Sequence, residues 1–224
     1  MFLSNMSILG NAAMKTRPVC DPLVQCIPTL LLLSLALLPV RAVSAAPEGW
    51  REVVFDGRTE YRLEQGCWQS RAWGTASGLV RENTVDVTRT PYLQWQWRAD
   101  QIADWPDLDE KSKAGDDFQA RVYVVKKGWL PWQTRAINYV WSRQQAPGTS
   151  WPNPFASQAM MVVVQGPGGA GSWQSFSRNV REDFRRFHDL EVDTVDAVAI
   201  MTDGDNTNTQ VSSCYRLPEF RSTP

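Results

Sequence analysis

Two acidic clusters flank the two best strand candidates of this chain. Asp116-Asp117 precedes a run reading FQARVYVV, and Asp203-Gly204-Asp205-Asn206 follows one reading VDAVAIMT. Antiparallel pairing of those runs sets the start of one beside the end of the other, which gathers carboxylates and an amide at one end of a sheet. Such a cluster suits three chemistries. Hard oxygen ligands from two converging loops are what calcium takes, with Asp117, Asp203 and Asp205 as its ligands and Asp116 and Asn206 alongside. Two carboxyls held about 5 to 9 Å apart across one bond, as Asp117 and Asp203 could be, would serve a glycan hydrolase or lyase. Without turnover, the same groups would bind a polar ligand. The stretch DGDNTN opens like a helix-loop-helix calcium loop, but the twelfth position from Asp203 is Cys214 and not Glu, so that motif fails. Asp-Gly and Asp-Asn also make turns with no metal at all.

The elements that must position these groups are strands. In YLQWQWRA, Leu93, Trp95 and Trp97 alternate with Gln94, Gln96 and Arg98; around FQARVYVV, Phe118, Ala120, Val122 and Val124 alternate with Asp117, Gln119, Arg121 and Tyr123. Placed side by side, the two polar faces form a row of planar donors and acceptors suited to sugar hydroxyls. Asn138 and Trp141 of AINYVW join that set, the indole as a stacking platform. Trp95 and Trp97 belong to the core, whereas Trp105, Trp129, Trp132, Trp141 and Trp151 lie near loops or strand ends and are the candidates for exposure. Further short strand patterns, REVVF, TEYRLEQ, CWQSRAW, SGLVR, QAMMVVVQ and TQVSSCYRL, are separated by Gly, Pro, Asn or Asp. The pattern predicts an all-β fold, an antiparallel β-sandwich or jelly roll, with one short helix in NVREDFRRFHDL. Residues 100–116 form a long charged loop of the kind that is often functional or mobile. QGPGGAGSW lacks the Lys-Ser/Thr of a phosphate loop and reads as a turn.

Composition excludes several function classes. The single histidine, His188, rules out a histidine-rich zinc site and leaves a nucleophile–histidine pair only one base; its place in RRFHDLE suits a solvated or helix-capping role. Residues 28–40, PTLLLLSLALLPV, are too few to span a bilayer comfortably and lead into AVSAAPEG, which reads as a signal peptide over residues 1–45 with cleavage before Ala46; Met14-Lys15-Thr16-Arg17 offers an alternative start. Residues 46–224 then form a single domain, periplasmic or secreted, with no membrane span after cleavage. The formal net charge of -1 becomes -3 once Lys15, Arg17, Asp21 and Arg41 are removed, so nothing attracts nucleic acid. Only Cys67 and Cys214 remain, and a bridge between them would close most of the domain, worth roughly 4 to 5 kcal/mol by loop entropy.

The segments LQWQWRAD, KAGDDFQARVYVV, LPWQTRAINYVW, WPNPF, SRNVREDF and AVAIMTDGDNTNT stand in order along the chain. Together they resemble the exported bacterial family known as domain of unknown function 3047. The resemblance implies a single β-rich exported domain and brings no activity with it. Gly204 stands where that pattern would have Thr or a similar residue, which predicts a looser backbone there. The cysteine bridge rests on spacing and not on the family. The reading is an exported binding module for a carbohydrate or similar polar envelope ligand; a glycan hydrolase or lyase and a structural envelope protein are its alternatives, and calcium is the one cofactor in view.

Overall fold

The computed structural model describes residues 46–100 and 103–224, and the leader expected over residues 1–45 lies outside them. Twelve strands run as β1 (Arg51–Asp56), β2 (Glu60–Glu64), β3 (Cys67–Trp73), β4 (Ala76–Asp86), β5 (Tyr92–Ala99), β6 (Arg121–Lys126), β7 (Arg135–Trp141), β8 (Ser150–Pro152), β9 (Ala159–Gln165), β10 (Gln174–Asn179), β11 (Thr194–Asp203) and β12 (Gln210–Arg221). Among the described residues there is one α-helix, α1 (Val180–His188), which follows β10. The strands form two sheets, ordered β1-β4-β11-β6-β7-β9-β8 and β10-β5-β12-β3-β2. Among the described strands only β7 and β9 pair in parallel. This is the expected all-β sandwich. Among the described residues no helix is long and apolar enough to cross a membrane.

The core lies between the sheets. Leu93, Trp95, Trp97, Tyr61 and Tyr215 of the five-stranded sheet meet Leu79, Val122, Val124, Ile137, Tyr139, Val198 and Ile200 of the seven-stranded one. A second apolar cluster, with Val53, Val80, Tyr123, Val125, Ala136, Ala159, Ala197, Ala199 and Met201, covers the other face of the seven-stranded sheet. Burial on both faces explains why β6 and β11 read as nearly continuous apolar runs, while β5, wet on one side, alternates strictly.

The side-by-side placement of β5 and β6 is overturned. β5 lies between β10 and β12, and β6 lies between β11 and β7 in the opposite sheet. Both direct their apolar faces into the shared core, so their polar faces point away from each other. Alternation reports which face of a strand is wet but says nothing about which strand lies beside it. Two of the expected exposed tryptophans are also corrected: Trp141 packs in the main core and Trp151 packs beside Phe118. β8 and β10 were not anticipated, the first for its brevity and the second for its Ser-rich polar sequence.

Local contacts account for the remaining elements. Asn179 caps α1 by accepting from the Glu182 N–H, and Val180 and Phe184 turn into the core. His188 is half-buried, not solvated: its Nε2 donates to the Ala136 carbonyl at 2.9 Å, and burial pushes its imidazole down, so it docks the helix as a neutral ring. The loop before β6 is anchored by Glu110, fully buried, which accepts from Ser142 Oγ and from the Arg143 N–H at 3.2 Å. Neighbouring β3 and β12 carry the expected Cys67–Cys214 disulfide, with Cα atoms 5.7 Å apart. The bridge closes a loop of 147 residues, so its loss should cost about 5 kcal/mol by chain entropy. The Cys67→Ser/Cys214→Ser double variant is therefore expected to unfold at a much lower urea concentration than the wild type, with thiol reductant shifting only the wild type.

Candidate ligand-binding cleft

The acidic end is assembled by one strand pairing. β11 and β6 run antiparallel with Met201 opposite Arg121, so the chain entering β6 meets the chain leaving β11. Arg121 Nε donates to Asp203 Oδ1 at 2.8 Å and its Nη2 donates to Asp203 Oδ2; the two side chains are 3% and 2% exposed. The same guanidinium donates to the Asp116 carbonyl and to the Tyr123 hydroxyl. Burial pushes the Asp203 carboxyl up and Arg121 opposes it; the two-pronged contact is the one an ionised carboxylate makes.

Asp117 holds the other half of the corner. It accepts from the Asn206 N–H at 3.3 Å and Nδ2 at 3.1 Å, and from the Thr207 N–H at 2.7 Å and Oγ1 at 2.6 Å. Gly204, expected to loosen this turn, tightens it instead. Its N–H donates to the Thr75 carbonyl, its carbonyl accepts from Thr209, and an added Cβ would lie 2.2 Å from the Thr209 oxygen. Glycine is there for close approach.

Carboxylate oxygens of Asp117, Asp203 and Asp205 lie within 4.8 Å of one another, a spacing a shared cation could bridge. Asp117 and Asp203, however, already accept from Asn206, Thr207, Phe118 and Arg121, and Arg121 places a positive charge beside the would-be ion. Asp205 differs: burial and then the neighbouring Asp117 push its carboxyl up to about 6.

Beside this corner a cavity of about 180 Å³ opens on the outer face of the seven-stranded sheet. Phe55, Tyr123, Phe155 and Met201 give it apolar walls, and Asp116, Asn138 and Asn153 give it polar ones. Asn153 builds one lip. Its Nδ2 donates to Asp116 Oδ2 at 2.8 Å, while its Oδ1 accepts from the Phe155 and Ala156 N–H groups, which leaves the Phe155 ring exposed at the rim. Two acceptors at this site have no donor: Asp116 Oδ1 and Asn138 Oδ1, both buried. Burial also pushes the Asp116 carboxyl up, against the pull of Arg121.

Of the residues singled out in the sequence, Asp116, Arg121, Tyr123, Asn138, Asp203, Asp205 and Asn206 line this cleft. Asp117, Gln119 and Trp141 line a different cavity of about 240 Å³, together with Trp105 and Arg143. Arg98 lies in the other sheet, paired with Asp100 at 3.1 Å and stacked on Trp173. Phe55, Asn153, Phe155 and Met201 were not anticipated as lining residues; the segment WPNPF held the only signal for two of them. The segments KAGDD, WPNPF and TDGDN converge on this one corner.

A family model described as a protein of unknown function, DUF3047, matches residues 48–217. The chain belongs to this family. No curated protein matches its sequence. Among solved structures it is similar to the family 11 carbohydrate-binding module of a Clostridium thermocellum cellulosomal cellulase, with 10% identity, TM-score 0.41, and 78% of this chain and 88% of that one covered. It is also similar to the family 11 xylanase of Neocallimastix patriciarum (10% identity, TM-score 0.41, coverage 80% and 94%). The catalytic domain of Humicola grisea Cel12A, solved with a soaked thio cellotetraose, is a third (10% identity, TM-score 0.44, coverage 79% and 95%). At such identity no residue's role passes from them to this DUF3047 protein.

The Asp205 shift gives a pH dependence with a definite sign. The folded state keeps a proton up to about pH 6 that the open chain, with an ordinary value of 3.8, has already released. The resulting stabilisation is fully present below the unfolded value and disappears as pH rises through about 6. Discounted for partial exposure, it amounts to about 1 kcal/mol. Urea unfolding at pH 5 and pH 7.5, an interval that spans roughly half of that loss, should show Asp205→Asn removing about 0.5 kcal/mol of the wild-type difference; an unchanged pH profile would place the proton elsewhere.

Proposed function

We propose that this protein is an exported binding module whose ligand is a carbohydrate or a similarly hydroxyl-rich envelope molecule, held in the cleft beside Arg121 and Asp203. The observation that carries the reading is the pair of buried, donor-free oxygens, Asp116 Oδ1 and Asn138 Oδ1, on the wall of one cavity. A buried acceptor without a donor costs about 1 to 3 kcal/mol, and a ligand that brings hydroxyl donors relieves the cost at both atoms. The aromatic rim of Phe55 and Phe155 supplies the apolar faces that a sugar ring stacks against. Export is supported by the leader pattern of residues 1–45 and by a disulfide that persists only in an oxidising compartment.

A second reading, hydrolysis or elimination at the same cleft, has one observation in its favour. Asp205 lines the cleft and is pushed up to about 6, which suits a general acid near neutrality. It lacks a free partner, because Asp203 is held by Arg121 and Asp117 by the turn.

A glycan array followed by calorimetric titration of the best hit tests both readings. Asn138→Leu keeps the branched outline of the side chain while removing the orphan acceptor, so it should bind at least about tenfold more weakly yet melt no lower than the wild type. Wild-type protein that binds no glycan on the array, or Asn138→Leu that binds as well as the wild type, would overturn the carbohydrate reading. Release of shortened products that stops in Asp205→Asn would favour the catalytic one.

A further inference from the structure

Three of the large apolar side chains exposed among the described residues fall within four consecutive positions: Trp129 at 96%, Leu130 at 37% and Trp132 at 63%. They form the tip of the loop joining β6 to β7, at the end of β6 opposite the cleft. Water around two indoles and a leucine is costly, and a contiguous apolar patch of this kind marks a contact surface.

The loop is built stiff and its backbone is largely self-satisfied. Leu130 N–H donates to Gln133 Oε1 at 3.0 Å, Gln133 N–H to the Leu130 carbonyl at 2.9 Å, Thr134 N–H to the Pro131 carbonyl at 3.2 Å, and Gly128 N–H to Thr134 Oγ1 at 3.2 Å. Pro131 has no N–H to satisfy. Gly128 permits the crossing, since an added Cβ would lie 2.4 Å from the Gln133 Cβ. At the base of the tip Arg135 donates to the Trp132 and Thr134 carbonyls, and among the described residues no carboxylate stands within 4.0 Å of it.

We propose that residues 129–132 form a membrane-interface anchor, which lowers the two indoles and Leu130 into the headgroup zone of a phospholipid bilayer and sets Arg135 at the level of the lipid phosphates. Three features select a bilayer. Tryptophan, with an apolar ring and one N–H, is the side chain that settles at a lipid–water boundary. Backbone donors already paired within the loop lower the cost of leaving water. A guanidinium that meets no carboxylate among the described residues, directly beneath the aromatic tip, matches a phosphate layer above an apolar one. A sugar platform would instead need free hydrogen-bonding side chains beside the rings, and Gln133 is already engaged within the loop. Since β6 has six residues, about 20 Å long, a tip-down molecule holds its cleft open away from the membrane.

Vesicle co-sedimentation tests this with a chain beginning at Ala46, which keeps all twelve strands, the helix and the disulfide and omits the apolar run of residues 28–40. Wild-type protein should sediment with phosphatidylethanolamine–phosphatidylglycerol vesicles, and Trp129→Ser/Trp132→Ser should partition at least about tenfold less while melting as the wild type does. Arg135→Gln should weaken partition on those vesicles more than on phosphatidylcholine vesicles, which carry the phosphate but no net negative charge. Asn138→Leu should partition normally, which separates this test from that of the cleft. Wild-type protein that stays in the supernatant, a double variant that sediments equally, or tryptophan-dependent retention on insoluble cellulose or peptidoglycan in place of vesicles would overturn the anchor.

Discussion

The ion pair between Arg121 and Asp203 is the constraint around which this protein's working end is built. Both groups are removed from water, so each depends on the other, and the loss of one would strand a charge in a medium where an uncompensated ion costs several kcal/mol. Because the two residues sit on neighbouring strands, the pair also fixes how β6 and β11 end. Asp203 accepts from the Phe118 N–H and from Arg121, and its own N–H donates to the Phe118 carbonyl, so the segment entering β6 is tied to the segment leaving β11 at three points, while Arg121 also reaches back to the Asp116 carbonyl within its own segment. Asp117 then closes the following turn through Asn206 and Thr207. The acids at this corner thus have separate duties. Asp203 neutralises a buried cation, Asp117 organises a turn, and Asp116 keeps one oxygen unused facing a cavity.

A buried polar network carries this order across to the second sheet. Thr202 Oγ1 donates to the Gln119 carbonyl at 2.9 Å and lies 2.7 Å from Ser70 Oγ and 2.8 Å from the Tyr215 hydroxyl, which itself donates to the Met201 carbonyl. Ser213 Oγ donates to the same Gln119 carbonyl. These contacts join β3 and β12 to β6 and β11 directly behind the cleft. A fully partnered network of this kind stiffens a core, and the disulfide between β3 and β12 braces its far side. Unpartnered buried atoms also occur elsewhere, at Thr75 Oγ1, Trp95 Nε1, Arg143 Nε and Trp151 Nε1, but Asp116 Oδ1 and Asn138 Oδ1 share one cavity wall, and that pairing is what supports the proposed ligand.

Much of this was legible in the sequence, for reasons that particular residues make plain. Strict alternation over Leu93, Trp95 and Trp97 reports one buried face, and the paired acidic ends of FQARVYVV and VDAVAIMT report which residues converge if those runs are neighbours, as they are. What the sequence did not disclose is neighbourhood across the sandwich. Arg98 and Arg121 occupy equivalent-looking polar positions in two alternating strands, yet lie on opposite outer surfaces, because sheet membership is decided by contacts distant in the chain. Trp141 shows the same limit: at a strand end it looks exposed, but its Nε1 donates to the Gly166 carbonyl and its ring completes the core. Phe55 and Phe155 were invisible as a pair because only the fold brings an edge strand and the β8–β9 turn to one rim.

The outer face of the seven-stranded sheet explains why a cleft exists there at all. Ala76, Ala156 and Ala159 line it with side chains too short to fill the space, whereas Tyr123 and Met201 rise beside them. Larger residues at those positions would have closed the surface, and an apolar floor with a tall aromatic beside it holds a ring-shaped molecule better than it holds water. The polar groups are confined to one corner by the Arg121–Asp203 pair, so a bound molecule would meet a steep gradient from alanine floor to carboxylate wall across one sheet face. For the proposed ligand that gradient would set orientation: a molecule with donors on one edge and an apolar flank on the other would satisfy Asp116 and Asn138 while lying against Phe155 and Met201.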